Sequence, residues 1–198
     1  MSEDRHQDPG LTWPVTAPAH GQVRLREFQD RDVDMVMDLA TDPYIPLIGS
    51  LPAHATRAQA LEYIERQRGR LAEGAGYAFC AASATDDIAL GGVGLWLRAL
   101  HLGRGSAGWA VAPAQRGQGV AAQAIIAMLS FAWTVAGLHR VEACIEPWNV
   151  ASVRTAGAAG FQHEGTMRSH TPIGEGRADM ELYAALRPSG DLPSGARP

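Results

Sequence analysis

Between Val120 and Ala136 the chain reads VAAQAIIAMLSFAWTVA, a run of helix formers whose helical surface is apolar nearly all round. Gln123, Ser130 and Thr134 make one thin polar stripe, so almost every side of this helix must be covered by other elements. A membrane span is a poor alternative, because the run is short of the ~20 residues needed, carries Gln123 and has no apolar companion elsewhere. What precedes it narrows the fold further. GSAGWAVAP reads as a strand, and QRGQG is a turn with one cation and two glycines that leads straight into the helix. Glycine lets backbone approach a ligand closely, and the first N–H groups of a helix have no internal acceptor. Strand, glycine turn and helix start together therefore predict a local anion site.

The rest of the chain supplies a sheet for that helix to pack on. QVRLREF alternates like a strand, and Asp30 can cap a helix whose Val33, Val36, Met37 and Ala40 fall at helical spacing before Pro43. Thr56 with Gln59 forms a capping-box pattern opening a second helix, with Ala60, Leu61, Ile64 and Leu71 as its buried face. YAFCAAS and IALGGVGLWLRAL read as antiparallel strands joined by ATDD. In HRVEACIEP, Val141, Ala143 and Ile145 face one side and Glu142, Cys144 and Glu146 the other. Asn149 can cap a short helix that Gly160 ends, and FQHEGTMRSH and ADMELYAAL are the last strands. The fold class is α/β (α+β), with a mixed, mostly antiparallel sheet of about seven strands and helices on both faces.

With 198 residues, 46% of them hydrophobic, the chain suits one domain over 22–187, between polar, Pro- and Gly-bearing tails at 1–21 and 188–198. The formal charge of −4 argues against nucleic acid as the partner, so the anion site is local. Cys80 and Cys144 both fall in strand-like runs and read as small buried residues. The N-terminal stretch has no charged, apolar and small-residue leader pattern, which makes a cytoplasmic location the expectation. His139 and His163 have no partners at ligand spacing, so no metal is expected.

Three anion-binding patterns compete for the turn. The mononucleotide loop fails because no lysine follows the glycines. Gly117-x-Gly119-x-x-Ala122 fits the dinucleotide fingerprint in letters, with Glu142 roughly 20 residues on, but antiparallel strands precede it where that fold needs its first strand. The third is Arg116-Gly117-Gln118-Gly119-Val120-Ala121, which matches [QR]-x-x-G-x-[GA]. That pattern resembles the acyl-CoA pyrophosphate loop of the GNAT N-acetyltransferase superfamily. Downstream, NVASVRTAGAAGFQHEGTMR resembles the RimJ/RimL branch, which acetylates N-terminal amines of ribosomal proteins. The shared letters are Asn149, Ala151, Ser152, Gly160, Phe161, Glu164 and Gly165.

The resemblance implies a GNAT fold over Val23 to Leu186 and an N-acetyltransferase that passes an acetyl group from acetyl-CoA to an amine by direct attack. The acceptor is a protein N-terminal α-amine or a small amine. A non-catalytic acyl-CoA-binding module and a transferase of another acyl group, such as succinyl, remain as alternatives, and a homodimer is left open. Backbone N–H groups of Gly117, Gln118, Gly119, Val120 and Ala121 would hold the diphosphate, with Arg116 beside them. Trp109 lies on the strand whose backbone would pair with the pantetheine amides, strand N–H groups near Val111 would polarise the thioester carbonyl, and Asn149 touches the pantetheine region. Many members carry a tyrosine as general acid where this chain has Ala156, which leaves Ser152 as the candidate acid. Glu142, on the strand flanking the thioester, and His170, near the acceptor-side loops, are the candidate bases, with less support for Glu146. Trp13, Tyr44, Trp96, Trp109 and Trp148 are candidates for the acceptor groove, and TPIGEGRADM for its movable wall.

Overall fold

The computed structural model describes residues 11–189. Eight strands form one sheet in the order β1-β2-β3-β4-β5-β6-β8-β7, antiparallel throughout except between β5 and β6. The strands are β1 (Ala19–His20), β2 (Val23–Arg26), β3 (Gly76–Ser83), β4 (Ala89–Trp96), β5 (Arg104–Val111), β6 (Arg140–Ile145), β7 (Gln162–Ile173) and β8 (Gly176–Leu186). The helices are α1 (Val33–Leu39), α2 (Ile45–Ile48), α3 (Arg57–Ala72), α4 (Val120–Ala132) and α5 (Val150–Ala158). The strand beyond those expected is the two-residue β1, too short for an alternating pattern to show.

One face of the sheet packs on α4, where Ile125, Ala127, Met128 and Ala132 are buried against Val23, Leu25, Phe79, Val93, Leu95 and Val141. The other face packs on α1 and α3 through Phe28, Val36, Leu39, Leu51 and Ile64. Gln67 extends the buried face of α3, whereas Leu61 and Leu71 are only half-buried. Trp13, expected in a tail and considered for the acceptor groove, instead packs its ring 4.9 Å from Phe79.

Local chemistry explains where the elements stop. Thr56 and Gln59 exchange both capping-box hydrogen bonds, at 3.3 and 2.9 Å. The apolar helix ends near Ala132 rather than Ala136, because Thr134 turns its hydroxyl back onto the Phe131 carbonyl (2.7 Å) while its N–H and that of Val135 form three-residue bonds. At the end of α5, Gly160 takes φ +90, and the Phe161 and Gly160 N–H groups donate to Ala156 and Gly157 (3.0 and 3.1 Å), which caps the free carbonyls. α2 was not anticipated between Pro43 and Pro46. It forms because the Asp42 carboxylate accepts from the Tyr44 and Ile45 N–H groups (2.7 and 3.2 Å), and Pro46 falls in the first turn, where its missing donor costs nothing.

Candidate active site

The parallel pair β5–β6 is in register for only three positions, Arg104↔Arg140, Gly105↔Val141 and Ser106↔Glu142. Beyond them no ladder joins the two strands, although β5 continues to Val111 and β6 to Ile145. The opening leads into a cavity of about 1290 Å³ that reaches both faces of the sheet. Its α4–α5 side is lined by Val111, residues 115–117 and 119–122, Asn149 and Ser152, with Gln118 outside it, and its α1–α3 side by Tyr44, Ile48, Tyr63, Arg70, Trp96 and Glu146.

The glycine turn presents free backbone donors. Gly117 and Gly119 have φ +80 and +73, and an added Cβ would meet nothing within 4 Å at the first and only the Gln123 amide, at 3.7 Å, at the second. The N–H groups from Gly117 to Ala122 donate to no acceptor among the described residues, and those of Val120 to Ala122 begin α4. Arg116 is held away from them. Its Nε donates to the Val111 carbonyl (3.0 Å) and its guanidinium pairs with Asp42 at 2.6 Å. Burial would raise the Asp42 pKa, but Arg116 and the two N–H groups of α2 outweigh it and hold the carboxyl below its usual range. Arg116 therefore braces the turn against α2.

On α5, Asn149 caps the helix by accepting from the Ser152 N–H at 3.1 Å. That leaves the Ser152 hydroxyl, half-buried on the cavity wall, without a hydrogen bond among the described residues. On the opposite wall Glu146 is only 8% exposed, and its Oε2 has no partner. The Tyr44 phenol lies beside it, with its pKa pushed upward by burial and by the Glu146 carboxylate. Tyr44 in turn meets the Trp148 ring edge-on at 4.8 Å.

The two expected bases are not brought here. Glu142 points to the same side of β6 as Glu146 but lies where the strands are still paired, bound to Arg140 at 2.7 Å and 3.8 Å from Arg104. His170 is exposed on β7 and does not line the cavity, nor does the 171–180 hairpin tip. Cys144, expected to be buried, is exposed on the cavity wall because the strands have separated at its level. Of the aromatic candidates, Tyr44, Trp96, Trp109 and Trp148 line the cavity. Sequence reasoning missed Asp42, Gln67 and Arg70; Tyr63, Gln67 and Arg70 recur at helical spacing beside the buried stripe of α3, which was the available signal.

Among the described residues no cluster of His, Cys, Asp and Glu could hold a metal ion, and no helix is long and apolar enough to cross a membrane. The family described as "Acetyltransferase (GNAT) domain" matches residues 22–162. The chain is 31% identical to the probable N-acetyltransferase YjcK of Bacillus subtilis over 137 residues, 67% of this chain and 71% of that protein. A GNAT-family acetyltransferase from Bacillus anthracis superposes with a TM-score of 0.72 at 22% identity, over 87% of this chain and 99% of that one. The ribosomal L7/L12 α-N-protein acetyltransferase RimL, solved with coenzyme A, superposes with a TM-score of 0.73 at 15% identity, over 86% and 97%. The family match and the relatives agree with the splayed strands: the chain belongs to the GNAT family of acetyltransferases and is an acyl-CoA-dependent N-acyltransferase.

Proposed function

We propose that the protein transfers the acetyl group of acetyl-CoA to a protein or peptide α-amine, or to a small amine of similar basicity, with Glu146 as general base and Ser152 as general acid. One observation carries this reading: an unpaired carboxylate oxygen and an unpaired hydroxyl line one cavity where the sheet opens. The N–H groups of Gly117 to Ala121 would hold the diphosphate, with Trp109, Val111 and Asn149 flanking the pantetheine. The acceptor enters from the α1–α3 side. Its nitrogen attacks the thioester carbonyl carbon, the C–N bond forms, and the proton leaving nitrogen passes to Glu146. As the C–S bond breaks, the Ser152 hydroxyl protonates the departing sulfur. No covalent enzyme intermediate is involved.

Support for an α-amine comes from the RimL likeness, since that protein is named an α-N-protein acetyltransferase. The test is coenzyme A release from acetyl-CoA and from succinyl-CoA across a panel of free-N-terminus peptides and small amines. Turnover with acetyl-CoA and loss of it in Glu146→Gln are expected. Binding of acetyl-CoA without release in the presence of any amine would reduce the protein to a binding module, and preference for succinyl-CoA would move the donor assignment.

A further inference from the structure

The acceptor half of the cavity is charged at both ends. Glu146 stands at one end, where the strands part. The other end lies near Trp96, which pairs in register with Gly76 on one side and Ser106 on the other. Arg70 lines the cavity, and its carbonyl accepts from the Ala75 N–H (3.0 Å), immediately before Gly76. Its Nε is buried without a hydrogen bond, and its guanidinium makes no ion pair among the described residues. An adjoining cavity of about 320 Å³ shares Trp96 and is lined by Arg98 and Arg104. Arg98 likewise has no ion pair there, and Arg104 reaches only Glu142, at 3.8 Å.

Between the two ends the walls are flat and apolar. Phe28, Tyr63 and Trp96 line the cavity, and the Trp96 ring lies over Gly94 and Gly108, where any Cβ would press on it. A partly desolvated guanidinium with an unmade hydrogen bond is costly unless a ligand supplies the acceptor.

We propose that the acceptor bears an oxyanionic group, carboxylate or phosphoryl, at the end opposite its amine, and that Arg70 binds it beside the Trp96 ring. This rests on the reading above that the amine sits at Glu146. The run of β6 between the paired strands and Glu146 gives the scale of that acceptor. Ser106 pairs with Glu142, and Glu146 lies four residues farther along, on the order of 13 Å at ~3.3 Å per residue. A free amino acid is too short to span that distance. An extended body of about four residues reaches it, at ~3.3 to 3.6 Å each.

Calorimetry with product-like ligands tests the subsite separately from turnover. The probes are N-acetyl-alanyl-glycyl-glycyl-phenylalanine as the free acid, the same peptide as its amide, and the amide ending in phosphotyrosine. The wild type should bind the acid or the phosphotyrosine peptide roughly 10- to 100-fold more tightly than the plain amide, the span for a charge-assisted hydrogen bond. Whichever is tighter identifies the source of the anion. Arg70→Gln should bring that ligand to the level of the amide while acetyl-CoA affinity holds, and Arg70→Lys, which keeps charge but loses the fork, should fall between. Equal wild-type affinity for all three probes overturns the proposal, as does a preference that survives Arg70→Gln. An anion preference with no acetyl transfer to any amine would instead count against the catalytic reading and leave the subsite standing.

Discussion

Replacing Gly119 with Asp puts a carboxylate where the turn presents its free N–H groups. Asp tolerates the positive φ of +73, and an added Cβ makes only ordinary contact, so the fold should persist. Acetyl-CoA affinity should fall roughly 100-fold or more, since the new charge repels phosphate and competes for its donors; calorimetry on the folded variant checks this. Gly117→Ala is the matching control, because its site is sterically open and only the strain of about 1 to 2 kcal/mol at φ +80 is added. Ser152→Ala should lower kcat by roughly 10²- to 10⁴-fold at nearly unchanged acetyl-CoA affinity. Glu146→Gln should cost a similar factor at pH 7, with a deficit that shrinks toward pH 9, because an α-amine of pKa ~7.7 to 8.0 then loses its own proton. A deficit constant with pH would mean that Glu146 acts by packing alone.

The strand elements beneath the site are tied by a cluster of charges. Arg26, 8% exposed on β2, donates to both oxygens of Asp32 (2.7 and 2.8 Å) and to Asp87 (2.7 Å), which also pairs with Arg24 at 2.6 Å. Burial would raise the Asp87 pKa, but Arg26 and Arg24 outweigh it and hold the carboxyl below its usual range. A depressed folded value means that Asp87 stabilises the fold above the ordinary carboxylate pKa of ~3.9 and that this is lost as pH falls below it. Asp87→Asn keeps a side chain suited to φ +64 and removes the charge and one acceptor oxygen. It should cost about 1 to 2 kcal/mol in urea unfolding at pH 7, with the gap from wild type closing below pH ~4; a gap independent of pH would assign the effect to shape. Elements with local signals were legible in this way too. Thr56–Gln59 and Gly160 mark their helix ends in a few letters, whereas α2 depends on Asp42 reaching over Pro43 to the Tyr44 and Ile45 N–H groups and was not.

For the whole molecule, the proposed role of Glu146 as base carries an expectation about the acceptor. At pH 7.5 an α-amine is already partly neutral, while freeing a lysine amine costs about three pKa units, or ~4 kcal/mol. Peptides with a free N-terminus should therefore show higher kcat/KM than N-acetylated peptides offering only lysine, with the gap narrowing from pH 6.5 to 9. A preference for lysine at pH 7 would require a stronger base than Glu146. The glycine turn, the start of α4 and the Asn149 cap were readable because they are local: the groups involved lie within a few residues of one another, and backbone donors do not depend on distant partners. The apolar girth of α4 likewise required a sheet and covering layers whatever their order. The surroundings of the two carboxylates were decided by tertiary structure alone. Glu142 on β6 and Glu146 just past its end look alike in sequence, yet the first lies where β5 is still paired and two arginines reach it, while the second lies past the split, buried beside Tyr44 with one carboxylate oxygen unpartnered. Arg70 and Arg116 differ for the same reason. Asp42 happens to meet one, no carboxylate among the described residues meets the other, and only the folded chain brings residues so far apart in sequence to one cavity.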